Sequence, residues 1–184
     1  MPNYRRPHIP GGTYFITQVP YQRVPWLCGD VGRQALREAI ITVKKSHLFS
    51  VDAIVLLPEH FHCLLTLPSD DADFSIRLKL IKIHVTRHYG SVLNINRPVS
   101  PSRQKRGERN LWQRRYWEHW IRDERDFATH CDYIHFNPVR FGLCKAPQDC
   151  PFSNVHRFIA EGIYRSDWGQ DESPVIPHDV WDKA

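Results

Sequence analysis

Apolar and polar positions alternate along the chain with two periods, one typical of strands and one of helices. Segments rich in β-branched and aromatic residues predict four strands. These strands span residues 13–17, 51–57, 60–67 and 112–121. Apolar residues three and four apart predict helices between and after them. These helices span residues 30–45, 73–89, 123–137 (ending before Pro138) and 154–163. We therefore expect an α+β, ferredoxin-like (split βαβ) antiparallel sheet with helices on one face, to which the helix at 123–137 is added.

The predicted strand at 60–67 has two chemically different faces. Its odd-numbered positions are all apolar and should meet a core, whereas the even-numbered ones begin with His60 and His62. Residues two apart on a strand point to the same side, about 7 Å apart at their Cα atoms. Two neutral imidazoles in this arrangement can share one divalent metal ion. Because polar groups without partners are costly to bury, a metal site is favoured over two merely hydrogen-bonded core histidines.

A second pair of candidate residues lies on the predicted helix at 123–137. Tyr133 and Asn137 are four residues apart, and hence on one face of that helix. Tyr133 is a candidate nucleophile, and Asn137 is a candidate oxygen ligand for a metal. Taken alone, the local sequence favours the alternative that Tyr133 is a core residue and that Asn137 ends the helix before Pro138. A residue before proline is also disfavoured in α conformation, which puts the alignment of Asn137 in question.

Length and composition indicate one folded domain with a differently charged tail. The chain has 184 residues, no apolar run long enough to span a membrane, and no secretory signal, so we expect a cytoplasmic protein. Its five scattered cysteines argue against a disulfide framework. Residues 166–184 contain five acids and one base, which leaves 24 bases and 15 acids in residues 1–165, a net charge of +9. A basic body suggests a polyanionic partner, and we expect the acidic tail to be loosely ordered.

Positive charge is concentrated in two segments. Residues 97–115 contain seven bases and one acid within a flexible loop rich in Pro, Ser and Gly, centred on 90–110, and the helix at 73–89 has a basic face. We predict that these bases bind nucleic acid. The candidates are Arg77, Lys79, Lys82, Arg87, Arg103, Lys105, Arg106, Arg114 and Arg115. Trp112, Tyr116 and Trp117 are candidate stacking surfaces, although strand aromatics more often belong to a core. The acidic tail could lie across the basic groove and compete with the polyanion, although an ordinary solvated tail is the favoured alternative.

Three motifs together resemble the REP-associated tyrosine transposases, which belong to the HUH single-tyrosine (Y1) group. They are Pro58-Glu59-His60-Phe61-His62, the segment 112–119, and Tyr133-Ile134-His135-Phe136-Asn137-Pro138-Val139, and the resemblance extends over nearly the whole chain. It implies that His60 and His62 bind a catalytic Mg²⁺ or Mn²⁺, with Asn137 as a third ligand and Tyr133 as the nucleophile. From the unperturbed imidazole pKa near 6.5, we expect acid to weaken metal binding.

The resemblance also implies a substrate and a reaction. The family is bacterial, which suggests a cytoplasmic, nucleoid-associated protein that cleaves and rejoins single-stranded DNA through a 5′-phosphotyrosine. The DNA is a hairpin from a repetitive extragenic palindrome (REP), marked by a guide tetranucleotide at its foot. The residues expected to read the guide are Tyr4, Arg5, Arg6, Gly11, Gly12 and Thr13. We expect a monomer, with a dimer as the alternative. A hairpin-binding protein without catalysis, and a replication initiator or relaxase, are the alternative functions.

Overall fold

The computed structural model describes residues 8–93 and 98–177 of the chain. Within these residues four strands form one sheet. They are β1 (Thr13–Gln18), β2 (Ser50–Leu57), β3 (His60–Thr66) and β4 (Trp117–Trp120). Five helices accompany the sheet over the same residues. They are α1 (Asp30–Ser46), α2 (Phe74–Tyr89), α3 (Pro101–Gln104), α4 (Glu124–Arg140) and α5 (Val155–Ala160). Every described helix is too short or too polar to cross a membrane.

The strand order is β2-β3-β1-β4, with each neighbouring pair antiparallel. This is the order of a ferredoxin-like sheet, so the predicted α+β fold is confirmed. The turn Pro58-Glu59 joins β2 to β3 as a two-residue hairpin loop, and Leu57 pairs with His60 across it. The register between β1 and β3 places Thr17 opposite His62. The site candidates on β3 therefore lie at the hairpin end of a central strand.

Both faces of the sheet are covered, because apolar residues of β1 and β3 alternate between two cores. One core lies against α1 and α2 and includes Ile16 and Phe61. The other lies against α4 and includes Phe15, Leu64 and Ile134. Since side chains alternate along a strand, His60 and His62 share the face of Leu64. The helix added to the ferredoxin-like order thus covers the face that carries the two imidazoles.

The strand predicted at 112–121 is wrong in its first half, because only Trp117–Trp120 is a strand. Trp112 instead packs its ring against Trp26, with 4.8 Å between ring centroids, and forms an isolated bridge with Pro20. Proline has no N–H to continue a ladder. The segment between the bridge and β4 therefore follows the end of β1 without regular pairing.

The predicted end of the tyrosine helix before Pro138 is also wrong, because α4 continues to Arg140. The final turn is closed by a Schellman motif, in which the N–H of Leu143 donates to the carbonyl of Pro138 and that of Gly142 donates to Val139, both at 2.9 Å. Gly142 has a φ of +67°, which glycine adopts at little cost. These bonds keep the turn around Pro138 helical, so Tyr133 and Asn137 do share one helix face.

Candidate active site

His60 and His62 form a buried pair at the start of β3. Both side chains are at most 1% exposed, and their ring centroids are 4.8 Å apart. The ring of Phe15, from β1, stacks on His62 at 5.3 Å. Burial is the main reason that the pKa of His60 falls to about 4, and it also lowers the pKa of His62. Both imidazoles are therefore neutral at pH 7, which is the form that binds metal.

Thr17 fixes the orientation of the His62 ring. Its Oγ1 lies 2.8 Å from Nδ1 of His62, and the two atoms share a hydrogen bond. The antiparallel register places these residues opposite each other, so this bond follows from strand pairing. With Nδ1 engaged, Nε2 is the nitrogen of His62 that can coordinate a metal, and Thr17 is the outer partner that holds the ring.

Helix α4 places Tyr133 and Asn137 next to this pair. The Tyr133 and His62 rings meet edge to face with centroids 5.1 Å apart, and both Tyr133 and Asn137 are fully buried. The Asn137 amide donates from Nδ2 to the carbonyl of Tyr133 at 3.4 Å, as expected one helical turn apart. Burial raises the pKa of the Tyr133 phenol, whereas the Asn137 side chain and the charge of Arg140 lower it.

The donor atoms of this site suit a divalent metal ion. Among the described residues, both ring nitrogens of His60 and Nε2 of His62 are buried without a hydrogen-bond partner. Leaving such atoms unpaired in a protein interior is costly, and a metal ion satisfies imidazole nitrogens well. Asn137 adds an amide oxygen on the neighbouring helix. The residues present therefore fit a metal.

A second group of potential ligands was not anticipated from the sequence. His119 on β4, with Asp126 and His130 on α4, brings three ligand atoms within 4.8 Å of one another. Asp126 lies 2.8 Å from Nε2 of His119 and 3.1 Å from Nδ1 of His130, and it also accepts a bond from the backbone N–H of Arg122. With its carboxylate shared in this way, Asp126 ties β4 to the tyrosine helix. The four-residue spacing of Asp126 and His130 was the available signal.

Two curated relatives resemble this chain over nearly its full length. A REP-associated tyrosine transposase of Escherichia coli K12 is 42% identical over 171 residues, which cover 93% of each protein. A Haemophilus influenzae protein named for the same family is 38% identical over 180 residues, which cover 98% of this chain and 100% of that protein. The chain belongs to the REP-associated tyrosine transposases. The resemblance that its motifs carry is thus confirmed.

A solved structure supports the same assignment. It is that of a REP-associated tyrosine transposase bound to a REP hairpin, and it matches this chain with a TM-score of 0.75 at 41% identity, covering 95% of each chain. No protein-family model matches the chain. The shared fold of this transposase family therefore rests on the full-length relatives and on the solved structure.

In this REP-associated tyrosine transposase, most of the lysines and arginines predicted to bind DNA lie on the face of the sheet opposite the histidine pair. A basic groove of about 710 Å³ runs between α2 and residues 103–116. Its lining includes Lys79, Lys82, Arg87, Arg106 and Arg114. α2 packs on the face opposite α4, so this groove and the histidine pair are separated by the sheet. Lys105 and Arg115 are exposed on the same segment as the groove wall.

Arg77 and Arg103 are buried arginines whose side chains make contacts within the fold. Arg77 is 2% exposed, and its guanidinium donates to the carboxylate of Asp71 at 2.5 Å and to the carbonyl of Leu48 at 2.9 Å. Arg103 is buried against the ring of Tyr21, 4.1 Å from its centroid. We leave both out of the proposed DNA surface, because their charged groups hold backbone together. Trp112 is likewise a core residue, since it is 5% exposed.

The residues expected to read the guide tetranucleotide are only partly described. Tyr4, Arg5 and Arg6 lie outside the described residues. Gly11, Gly12 and Thr13 lead into β1, and the N–H of Gly11 donates to the carbonyls of Pro68 and Asp71. Thr13 pairs with Thr66, whereas Thr17 pairs with His62, so these residues are at the far end of the strand from the histidine pair.

The described part of the acidic tail, residues 166–177, makes its contacts on the α4 side. Trp168 stacks on Tyr164 with 4.1 Å between ring centroids, and its ring also lies near Phe136. Ile176 is 8% exposed and belongs to the same apolar cluster as Tyr133. This part of the tail therefore packs close to the tyrosine.

Proposed function

We propose that this transposase cleaves and rejoins single-stranded DNA at REP hairpins through a covalent bond between Tyr133 and a 5′ phosphate. The observation that carries the proposal is the position of the Tyr133 ring, 5.1 Å from His62 in a buried site whose imidazole nitrogens are available to a metal. A REP hairpin is also the ligand in the solved structure of a relative. Tyrosine, metal donors and substrate thus point to one reaction.

In the cleavage step the Tyr133 oxygen attacks phosphorus. The new O–P bond gives a 5′-phosphotyrosine, the bond to the 3′ oxygen breaks, and the phenolic proton leaves Tyr133 while the departing 3′ oxygen gains one. Since the phosphodiester is retained as an ester of Tyr133, attack by a 3′-hydroxyl reverses the step without another energy source. Cleavage and rejoining are therefore the two directions of one reaction.

The chain contributes the metal ligands and the surroundings of the phenol. His60, His62 and Asn137 would hold a divalent ion, which would supply Lewis-acid stabilisation of the charge on the reacting phosphate. The candidate ions are Mg²⁺ and Mn²⁺, and the two imidazole nitrogens favour a transition metal over Mg²⁺, which is usually held by oxygen ligands. Arg140, whose positive charge lowers the pKa of Tyr133 against the effect of burial, favours loss of the phenolic proton.

The hairpin is proposed to bind through its phosphates in the basic groove. Lys79 and Arg87 are exposed there on α2 and suit this role, whereas Arg77 is buried and paired with Asp71 and does not. Lys82 already donates from Nζ to the carbonyl of Gln113 at 2.7 Å, so it also anchors the groove wall. The single-stranded flank would pass from this side of the sheet to the site under α4.

Removing Lys79 or Arg87 is expected to weaken hairpin binding and to flatten its salt dependence. Each phosphate contact that is lost lowers the slope of log K against log salt by about 0.7–0.9, because fewer counterions are released. Fluorescence anisotropy across a salt series measures both quantities for Lys79→Ala and Arg87→Ala. Lys45→Ala, which removes an exposed lysine from α1, is the matched control. Equal slopes in all variants would remove the groove from the proposal.

The test of the reaction is covalent capture of DNA. The protein is incubated with a labelled single-stranded REP hairpin and Mn²⁺, Mg²⁺ or chelator, and a denaturing gel separates protein-linked DNA. The expected result is an adduct that requires the metal. Tight hairpin binding that survives chelation, without any adduct, would favour a non-catalytic hairpin-binding protein instead.

A further inference from the structure

An exposed aromatic ring stands beside the buried histidine pair. Phe141 is 47% exposed, and its ring meets His60 edge to face with centroids 5.5 Å apart. A single exposed apolar side chain is ordinary by itself, so the significance of Phe141 depends on the groups around it. Phe141 is the residue after α4 and was not among the residues that the sequence singled out.

The position of Phe141 is fixed by the end of the helix. Its N–H donates to the carbonyl of Asn137 at 3.0 Å, and the Schellman bonds of Gly142 and Leu143 follow it directly. The backbone that carries the ring is therefore ordered before any ligand arrives. An aromatic ring held in this way can stack on a flat partner with little additional loss of conformational entropy.

Two arginines belong to the surroundings of the histidine pair and of this ring, Arg140 beside Phe141 and Arg23 beside Glu59. The Arg140 guanidinium lies 6.0 Å from the Phe141 ring centroid. Arg23 forms an ion pair of 3.0 Å with Glu59, the residue before His60.

The backbone at Arg23 is strained. Gln22 and Arg23 have φ angles of +54° and +53°, in the left-handed region that non-glycine residues rarely adopt. Such strain persists where the surrounding structure holds it, and it clusters at functional sites. Here it presents Arg23 next to Glu59, at the rim of the histidine pair.

We propose that Phe141 stacks on the nucleobase adjoining the scissile phosphate, with Arg23 and Arg140 binding phosphates on either side of that nucleotide. The inference rests on the proposed function and names the residues that hold its substrate at the metal site. An exposed ring with two arginines near the same histidine pair matches a base with its neighbouring phosphates, the combination by which proteins hold single strands. Glu59 is then the counterion that a phosphate displaces from Arg23.

The test measures how Phe141 variants bind DNA in which one nucleotide lacks its base. Affinity is measured by fluorescence anisotropy in chelator, where cleavage does not interfere, on a REP hairpin whose single-stranded flank carries one abasic nucleotide at each position in turn. Phe141→Ala and Phe141→Leu are expected to bind the intact hairpin about 10-fold more weakly. Phe141→Trp is expected to retain affinity. Leu143→Ala, which alters a 49% exposed residue two positions away, is the matched control.

The decisive observation is the coupling between the ring and one base. At one flank position the abasic nucleotide is expected to cost the wild type about 10-fold and to cost Phe141→Ala nothing further, because the partner of the base is already gone. An abasic penalty that is the same in both proteins at every position overturns the inference, as does wild-type affinity in Phe141→Leu. These readouts need no cleavage, so a wild type that forms no adduct with Mn²⁺ counts against the proposed reaction alone.

Discussion

Replacing Tyr133 with phenylalanine is expected to abolish the covalent protein–DNA adduct while leaving the fold and the hairpin affinity in place. The change removes one oxygen, and the ring can still pack against His62 and Phe15, its neighbours at 5.1 and 5.5 Å. Loss of one buried hydroxyl changes the free energy of unfolding by about 1 kcal/mol. The adduct, by contrast, cannot form without the attacking oxygen. A denaturing gel with labelled hairpin and Mn²⁺ measures this result.

Tyr164→Phe is the control for the loss of a phenol hydroxyl, at a partly buried tyrosine. The Tyr164 hydroxyl donates to Asp132 at 2.8 Å on the same side of the sheet, but it is not in contact with the histidine pair. This variant should lose stability and keep the adduct. Thermal melting of both variants separates unfolding from loss of chemistry. An adduct of wild-type yield in Tyr133→Phe would show that another residue is the nucleophile.

The orientation of the histidine pair could be predicted from sequence, because a strand period of two fixes which side chains share a face. Local sequence could not place Tyr133 opposite that pair. α4 lies outside the strand–helix–strand–strand–helix–strand order, so its docking face depends on the packing of its residue Ile134 with Phe15 and Leu64 of the sheet. The family resemblance supplied what the local pattern left open. Thr17 also escaped notice, since its role depends on a register that only the folded sheet fixes.

Charge predicted the DNA-binding residues less reliably than strand periodicity predicted the histidine pair. Arg77 and Lys79 lie two residues apart on α2 and read alike in sequence, yet one is buried on Asp71 and the other is exposed in the basic groove. The buried stripe of α2 includes Arg77, whose guanidinium donates hydrogen bonds to backbone carbonyls. The periodicity of apolar residues cannot predict that a charged side chain is buried in this way. Phe141 was missed because Pro138 was taken as the end of the helix, one turn too early.

Replacing His62 with alanine is expected to remove metal binding and, with it, adduct formation. Loss of an outer hydrogen-bond partner such as Thr17 typically costs about 10–100-fold in metal affinity, and loss of a ligand costs more. We therefore expect the wild type to bind Mn²⁺ most tightly, Thr17→Val to bind it more weakly, and His62→Ala to bind it most weakly. Isothermal titration calorimetry at pH 7 measures it. His156→Gln, which changes an exposed histidine of α5, is the matched control.

The same titration tells the two candidate ligand groups apart. If the ion is held by His119, Asp126 and His130, then Asp126→Asn will lose Mn²⁺ and His62→Ala will keep it. We expect the reverse. Asp126→Asn should instead lower the melting temperature, since the carboxylate ties α4 to His119 of β4 and to the backbone of Arg122, and also contacts His130 on its own helix. A metal retained in His62→Ala would contradict the proposed ligands.

The pH dependence of Mn²⁺ binding gives an independent test of the ligands, because burial moves the expected loss of affinity to a lower pH than exposed imidazoles would show. Protons compete with metal only below the pKa of the imidazole, which is near 6.5 when exposed but about 4 for His60 in its buried position. Affinity should therefore stay level between pH 8 and about pH 5.5 and fall as the pH approaches the lowered pKa. Exposed histidine ligands would instead lose affinity from about pH 6.5 downward. An early decline of that kind in the wild type would place the ion outside the buried pair.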